Sequence, residues 1–146
     1  MKLLRLCLVV VALCLVASTA GAEQPTIRVY KTPTCGCCQG WADYLSRKGF
    51  QVITEDHRDL SAIRERLGIT DPRLLSCHTA EVDGYVVEGH VPADDIHRLL
   101  TEKPEVVGIT APGMPTYSPG MASEEPRGYD VLSFDGDGEI DVFSSY

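Results

Sequence analysis

Between residues 26 and 103 the apolar positions change period several times, and each change marks an element. Thr26 to Lys31, an apolar, β-branched run through Thr26, Ile27, Val29 and Tyr30, predicts a first strand, interrupted by Pro33. Trp41, Tyr44 and Leu45 then recur at i, i+3, i+4, and Lys48-Gly49 supplies the expected stop, so a helix follows. Phe50 to Glu55, with Phe50, Val52 and Ile53 apolar, predicts a second strand. Asp59 to Leu67 predicts a second helix with Leu60, Ile63 and Leu67 on one face and Gly68 as terminator. Cys77 to Val82 and Tyr85 to Glu88 flank Asp83-Gly84, the strongest two-residue hairpin signal. Pro92 opens a third helix, Asp94 and Asp95 complement its dipole, and Ile96, Leu99 and Leu100 form its apolar face.

The predicted order is therefore β-α-β-α-β-β-α, that of an α/β thioredoxin-like domain over residues 23–103. Beyond Pro104 the chain reads as loop, with Ala111-Pro-Gly-Met-Pro and Ser118-Pro-Gly-Met too rich in proline and glycine for a helix. It recovers order in a terminal hairpin, Tyr129 to Phe134 and Glu139 to Phe143, joined by Asp135-Gly-Asp-Gly. Asp135, Asp137 and Glu139 are too closely spaced for a full calcium loop and read as a turn. Two terminal strands need a partner sheet, so residues 104–146 are expected to form a C-terminal extension packed on the domain.

The first 22 residues have the basic, apolar, A-x-A order of a cleavable secretory signal: Lys2 and Arg5, an apolar run from Leu8 to Val16, then Ala20-Gly21-Ala22. The apolar run is short for a membrane span. Cleavage near Glu23 would place the product in the periplasm as a soluble chain free of the membrane, long enough for one core. The whole chain has 146 residues and a net charge of −8. The leader carries two basic residues and no acidic ones, so the remainder has 11 basic against 21 acidic, a net −10. Such a balance argues against nucleic acid and anionic membrane surfaces and suits a handler of cations. Nothing resembles a dedicated dimer interface, and a monomer is expected.

Cys7 and Cys14 leave with the leader. The remaining Cys35, Cys37, Cys38 and Cys77 do not read as a fold-stapling pair of disulfides, because three of them fall within one turn and so short a loop removes little chain entropy. The three sit at a strand-to-helix junction, where the positive end of the helix dipole favours the thiolate. Cys35 and Cys38 form a C-x-x-C pair able to close a redox disulfide. Cys37 between them could compete in exchange, whereas several thiolates together suit copper(I). A plain disulfide with one free thiol is the bland alternative.

Cys77 and His78 precede the third strand. In a regular strand neighbours face opposite ways, so unless the backbone there is irregular at most one faces the site; Cys77 is the preferred ligand and His78 the second candidate, with a backbone-bonded histidine as its alternative. His90 lies in Gly89-His90-Val91-Pro92, where glycine and proline fix the backbone that aims it. His57 and His97 lie in charged runs and read as solvated. Met114 and Met121 each follow Pro-Gly in a loop, where gap-filling explains a methionine poorly and a soft thioether ligand explains it better. No phosphate loop, serine-nucleophile elbow or zinc-protease motif is present.

With these residues in view the chain resembles the CopG-like family of periplasmic copper-resistance proteins. The resemblance runs through KTPTCGCCQGW (31 to 41), LSCHTAEVDGYVVEGHVPADDI (75 to 96), PGMPTYSPGM (112 to 121) and the terminal YDVLSFDGDGEIDVFSSY. It implies a thioredoxin-like domain whose extension helps to bind copper, cysteine-bridged ions beside the C-x-C-C motif, and a role in copper tolerance through interconversion of Cu(I) and Cu(II) for export. By motif match the implied ligands are Cys35, Cys37, Cys38, Cys77, His78, His90, Met114 and Met121, holding more than one copper ion. Tyr117 stands where the family pattern leads one to expect a small residue. Three functions follow: a copper-binding protein that is also a candidate copper oxidoreductase, a thiol-disulfide oxidoreductase using Cys35 and Cys38, and a passive carrier handing copper to an efflux partner. The first would also need an electron donor.

Overall fold

The structure, a computed structural model, describes residues 24–146. The expected leader, its cleavage site before Glu23, and Cys7 and Cys14 lie outside the described residues. The element order is β1 (Thr26–Lys31), α1 (Gly36–Arg47), β2 (Gln51–Asp56), α2 (Ser61–Arg66), a 3-10 turn (Pro72–Leu74), β3 (Thr79–Val82), β4 (Tyr85–Gly89), α3 (Ala93–Glu102), β5 (Gly108–Ala111), β6 (Asp130–Phe134) and β7 (Ile140–Ser145). The seven strands form one mixed sheet in the order β2-β1-β3-β4-β5-β6-β7. The β1–β2 and β4–β5 pairs are parallel and the remaining four antiparallel. The fold class is mixed α/β.

β1 lies inside the sheet between β2 and β3: Ile27 and Val29 are fully buried with Arg28 exposed between them, and Tyr30 and Lys31 at its end are buried as well. Trp41 and Leu45 of α1 and Ile96 and Leu99 of α3 share one apolar cluster with Ile27, Val29, Val87 and Ile109. Val86, the neighbour of Val87 on β4, belongs instead to a second cluster with Ile69, Leu74 and Phe134, so residues 67–75 cover the opposite face. Asp83 and Gly84 both take positive φ, 47° and 83°, which is the two-residue turn that matches strand twist in a hairpin. Among the described residues no helix is long and apolar enough to cross a membrane.

Three expectations need correction. The stretch after Pro104 is not all loop: Gly108–Ala111 forms β5, fully buried between β4 and β6. Its four residues are too few to display a period, and Gly108 is required because a Cβ there would lie 2.1 Å from the Val86 carbonyl oxygen. The terminal hairpin therefore extends the same sheet through β5, where a separate layer packed on it would also have served. The second helix spans only Ser61–Arg66 and buries none of its residues; Leu60, just outside it, is the buried one. The third strand begins at Thr79, leaving Cys77 on a bend before it.

Candidate metal centre

β1 ends at Lys31, and the chain turns through Thr32-Pro33-Thr34 so that Cys35 becomes the N-cap of α1, its N–H donating to the Thr32 carbonyl at 3.1 Å. Cys35 caps with no side-chain hydrogen bond, so its sulfur is left to other partners. Cys37 and Cys38 occupy the first turn, where unpaired helix N–H groups favour negative sulfur. Cys35 and Cys38 are joined as a disulfide with Cα atoms 5.3 Å apart, while Cys37 and Cys77 are free thiols. The Cys37 sulfur lies 3.6 Å from that of Cys35.

The second half of the site comes from the β3–β4 hairpin. The Asp83-Gly84 turn pairs Val82 with Tyr85 and Thr79 with Glu88. Continued past the ends of the strands, the same register sets Cys77 opposite His90, and their Sγ and Nε2 lie 3.1 Å apart. Because Cys77 sits on a bend, its neighbour reaches inward too: His78 Nδ1 is 3.4 Å from the same sulfur. This is the irregular backbone under which both neighbours can face the site. Among the described residues the four cysteine sulfurs lie within 4.8 Å of one another, and so do the ligand atoms of Cys77, His78 and His90. Cys77 belongs to both groups.

The two histidines differ in their second nitrogen. His90 Nδ1 donates to the Pro119 carbonyl at 2.7 Å, which fixes the tautomer and leaves the Nε2 lone pair facing Cys77. His78 Nε2 is buried without a partner among the described residues, its ring lying 4.4 Å from Trp41 and edge-on to His90. Burial holds both histidines below the usual imidazole range; for His78 the neighbouring His90 adds to the effect, and for His90 the Pro119 bond opposes it. Both are neutral at neutral pH, with lone pairs free for metal. Burial, helped by the nearby Cys37, pushes the Cys77 thiol up to about 12. A metal taking that sulfur displaces a proton.

The 112–121 loop closes the site from the side of α1. Gly120, at φ +84°, sits so near the helix that a Cβ would lie 2.6 Å from Trp41 N and 2.8 Å from the Cys37 carbonyl oxygen. Met121 is half-buried beside it, in a groove of about 290 Å³ that also contacts Gly40 and Glu124. Met114 is 60% exposed. Tyr117 is accommodated by pointing outward under the Arg127 guanidinium, 4.1 Å from its ring. His57 and His97 lie outside both ligand groups, His97 stacked on Phe50. The Pro119 carbonyl and the close seat of Gly120 have no side-chain pattern that would mark them in the sequence. The Cys77–His90 pairing is carried by the hairpin register and not by any motif around either residue.

Two solved chains, described as copper resistance protein CopG in forms 1 and 2, are each 40% identical to this chain with a TM-score of 0.77, covering 85% of it and 98% and 99% of themselves. The chain belongs to the CopG copper-resistance family. The family described as a protein of unknown function, DUF411, matches residues 74–121, the span that contains Cys77, His78, His90 and both Pro-Gly-Met loops of this CopG-family chain. Comparison with curated proteins gives no match. Chemically, four sulfurs and two neutral imidazoles form a soft-to-borderline donor set, which fits copper better than a hard, oxygen-seeking cation.

Proposed function

We propose that this chain is a periplasmic copper-binding protein of copper resistance. It holds more than one copper ion as cargo between the C-x-C-C turn and the Cys77–His90 pair, and interconverts Cu(I) and Cu(II) for export. The observation that carries the reading is a pair of ligand groups at the start of α1, the four cysteine sulfurs and the Cys77, His78 and His90 set, joined through Cys77. The proposed donors are Cys35, Cys37, Cys38, Cys77, His90 and His78, with Met114 and Met121 as outer thioethers. His90 ranks above His78 because its far nitrogen already has the carbonyl partner that metal-bound histidines use. The proposed architecture is a thioredoxin-like unit over 23–103, supported by β1 leading into cysteines at the head of α1, with 104–146 as an extension whose Pro119 carbonyl aims His90. Secretion through the 1–22 leader would deliver it to the periplasm, where an efflux system and an electron donor are the expected partners.

All four sulfurs become thiolates only after the Cys35–Cys38 disulfide takes up two electrons. Copper loading is therefore tied to reduction. An anaerobic Cu(I) titration of the reduced protein against a competing chelator tests the reading. Several tightly held ions per chain, fewer after Cys37→Ser, are expected; no competitive binding would sink it.

The disulfide itself favours a second reading, thiol-disulfide oxidoreductase chemistry at Cys35 and Cys38. That reading predicts turnover in a disulfide-exchange assay that survives Cys37→Ser and loss of both methionines. A passive carrier, the third reading, would bind copper with no redox turnover.

A further inference from the structure

Arg64 and Glu88 contribute no ligand atom, yet they hold the residues on both sides of the Cys77–His78 pair, Ser76 through its backbone and Thr79 through its hydroxyl. Glu88, fully buried at the end of β4, accepts from the Ser76 N–H and from Arg64 Nη2 with one oxygen, both at 2.7 Å, and from the Thr79 hydroxyl with the other at 2.5 Å. The Arg64 side chain, 16% exposed, also donates to the Ser76 carbonyl at 2.7 Å and to the Thr79 hydroxyl oxygen at 3.2 Å. Ser76 precedes Cys77, Thr79 follows His78, and Glu88 stands two residues before His90. One ion pair therefore ties together every segment that supplies the hairpin half of the site.

A buried ion pair is a weak source of stability, because apolar groups of the same volume serve as well. This one has geometry to maintain. The bend at Cys77 takes its backbone groups out of the regular ladder, and Arg64 and Glu88 satisfy the Ser76 N–H and carbonyl that the ladder would otherwise pair. Gly89 allows the close approach: a Cβ there would lie 2.5 Å from Ser76 Cβ and 2.6 Å from the Ala111 carbonyl oxygen. The Gly89 N–H then donates to the His78 carbonyl at 2.9 Å.

We infer that Arg64 and Glu88 are positioning residues of the copper centre, locking the bend so that the Cys77 sulfur faces His90 Nε2. The inference rests on the copper reading above. It acts through Cys77 and His90 and leaves the C-x-C-C turn untouched.

The test is a double-mutant cycle of Glu88→Gln with His90→Gln in the reduced full chain, read as Cu(I) affinity by chelator competition and as the imidazole contribution to the copper X-ray absorption spectrum. Glu88→Gln is expected to lower affinity about 10–100-fold, the usual cost of losing a group that orients a ligand. It should also lower the imidazole signal to the level of His90→Gln and add nothing further in that background. Arg66→Gln, which cuts an exposed pair between α2 and β3, serves as the control and should leave affinity and spectrum unchanged. If Glu88→Gln does not fold, Arg64→Lys, which keeps the charge but loses the fork, should show the same loss in weaker form. Unchanged affinity in a folded variant, or losses that add in the double variant, would overturn the positioning role while leaving copper binding intact. A wild-type chain that binds no Cu(I) would instead overturn the copper reading and this inference with it.

Discussion

At the scale of single residues, the site is decided by which second contact each donor makes. His90 has a carbonyl on one nitrogen and a thiol on the other, so binding a metal at Nε2 strands no polar group. For His78 either tautomer leaves Nε2 without a partner. His90→Gln should therefore weaken Cu(I) binding by at least about tenfold, as loss of a ligand must cost no less than loss of its support. His78→Phe, which keeps a ring against Trp41, should weaken it far less; chelator competition on the two variants checks the order. The cysteine cluster was legible in the sequence because its three thiols are neighbours along the chain. The roles of His78 and His90 were not, because they depend on Pro119, twenty-nine residues beyond His90, and on a bend that interrupts the strand.

The elements act as carriers of these contacts. α1 offers the thiols at its positive end, the β3–β4 hairpin brings Cys77 across to His90, and the 112–121 loop bears on both. Gly120 is where that loop meets the helix, so Gly120→Ala combines a left-handed φ with a Cβ pressed into backbone atoms. It should destabilise the protein by about 1–3 kcal/mol or more, read from its urea midpoint, and lower copper affinity by releasing Pro119 from His90. Helices with clear 3.6-residue periods and the Asp83-Gly84 hairpin were legible, since each is specified by its own residues. β5 was not: Gly-Ile-Thr-Ala is specified by the strands on either side of it.

For the molecule as a whole, the sheet makes residues 104–146 part of the same structure as the cysteine turn. Ile109, Ala111 and Val131 lie in the core cluster that also holds Trp41 and Ile96. A chain ending at Lys103 would bare the edge of β4 and that apolar face, and is expected to be insoluble or to lack cooperative unfolding by circular dichroism. The buried histidines give the copper-free protein a pH dependence. Their folded values are held below the unfolded value of about 6.5, so the stability they contribute is complete above that pH and is lost as pH falls toward the folded values. The urea midpoint should drop between pH 7 and pH 5, and drop less in His90→Gln. Burial of Glu88 works in the other direction, raising its carboxyl and penalising the ionised form as pH rises from the ordinary carboxylate range. The pH series on the variants separates the two.

The most direct measurement is copper K-edge X-ray absorption on the fully reduced, Cu(I)-loaded protein. A sulfur-dominated first shell, copper–copper scattering from bridged ions, and an imidazole contribution that falls in His90→Gln are expected. A shell of nitrogen and oxygen alone, or one unchanged when Cys37 and Cys77 are both replaced by serine, would contradict it.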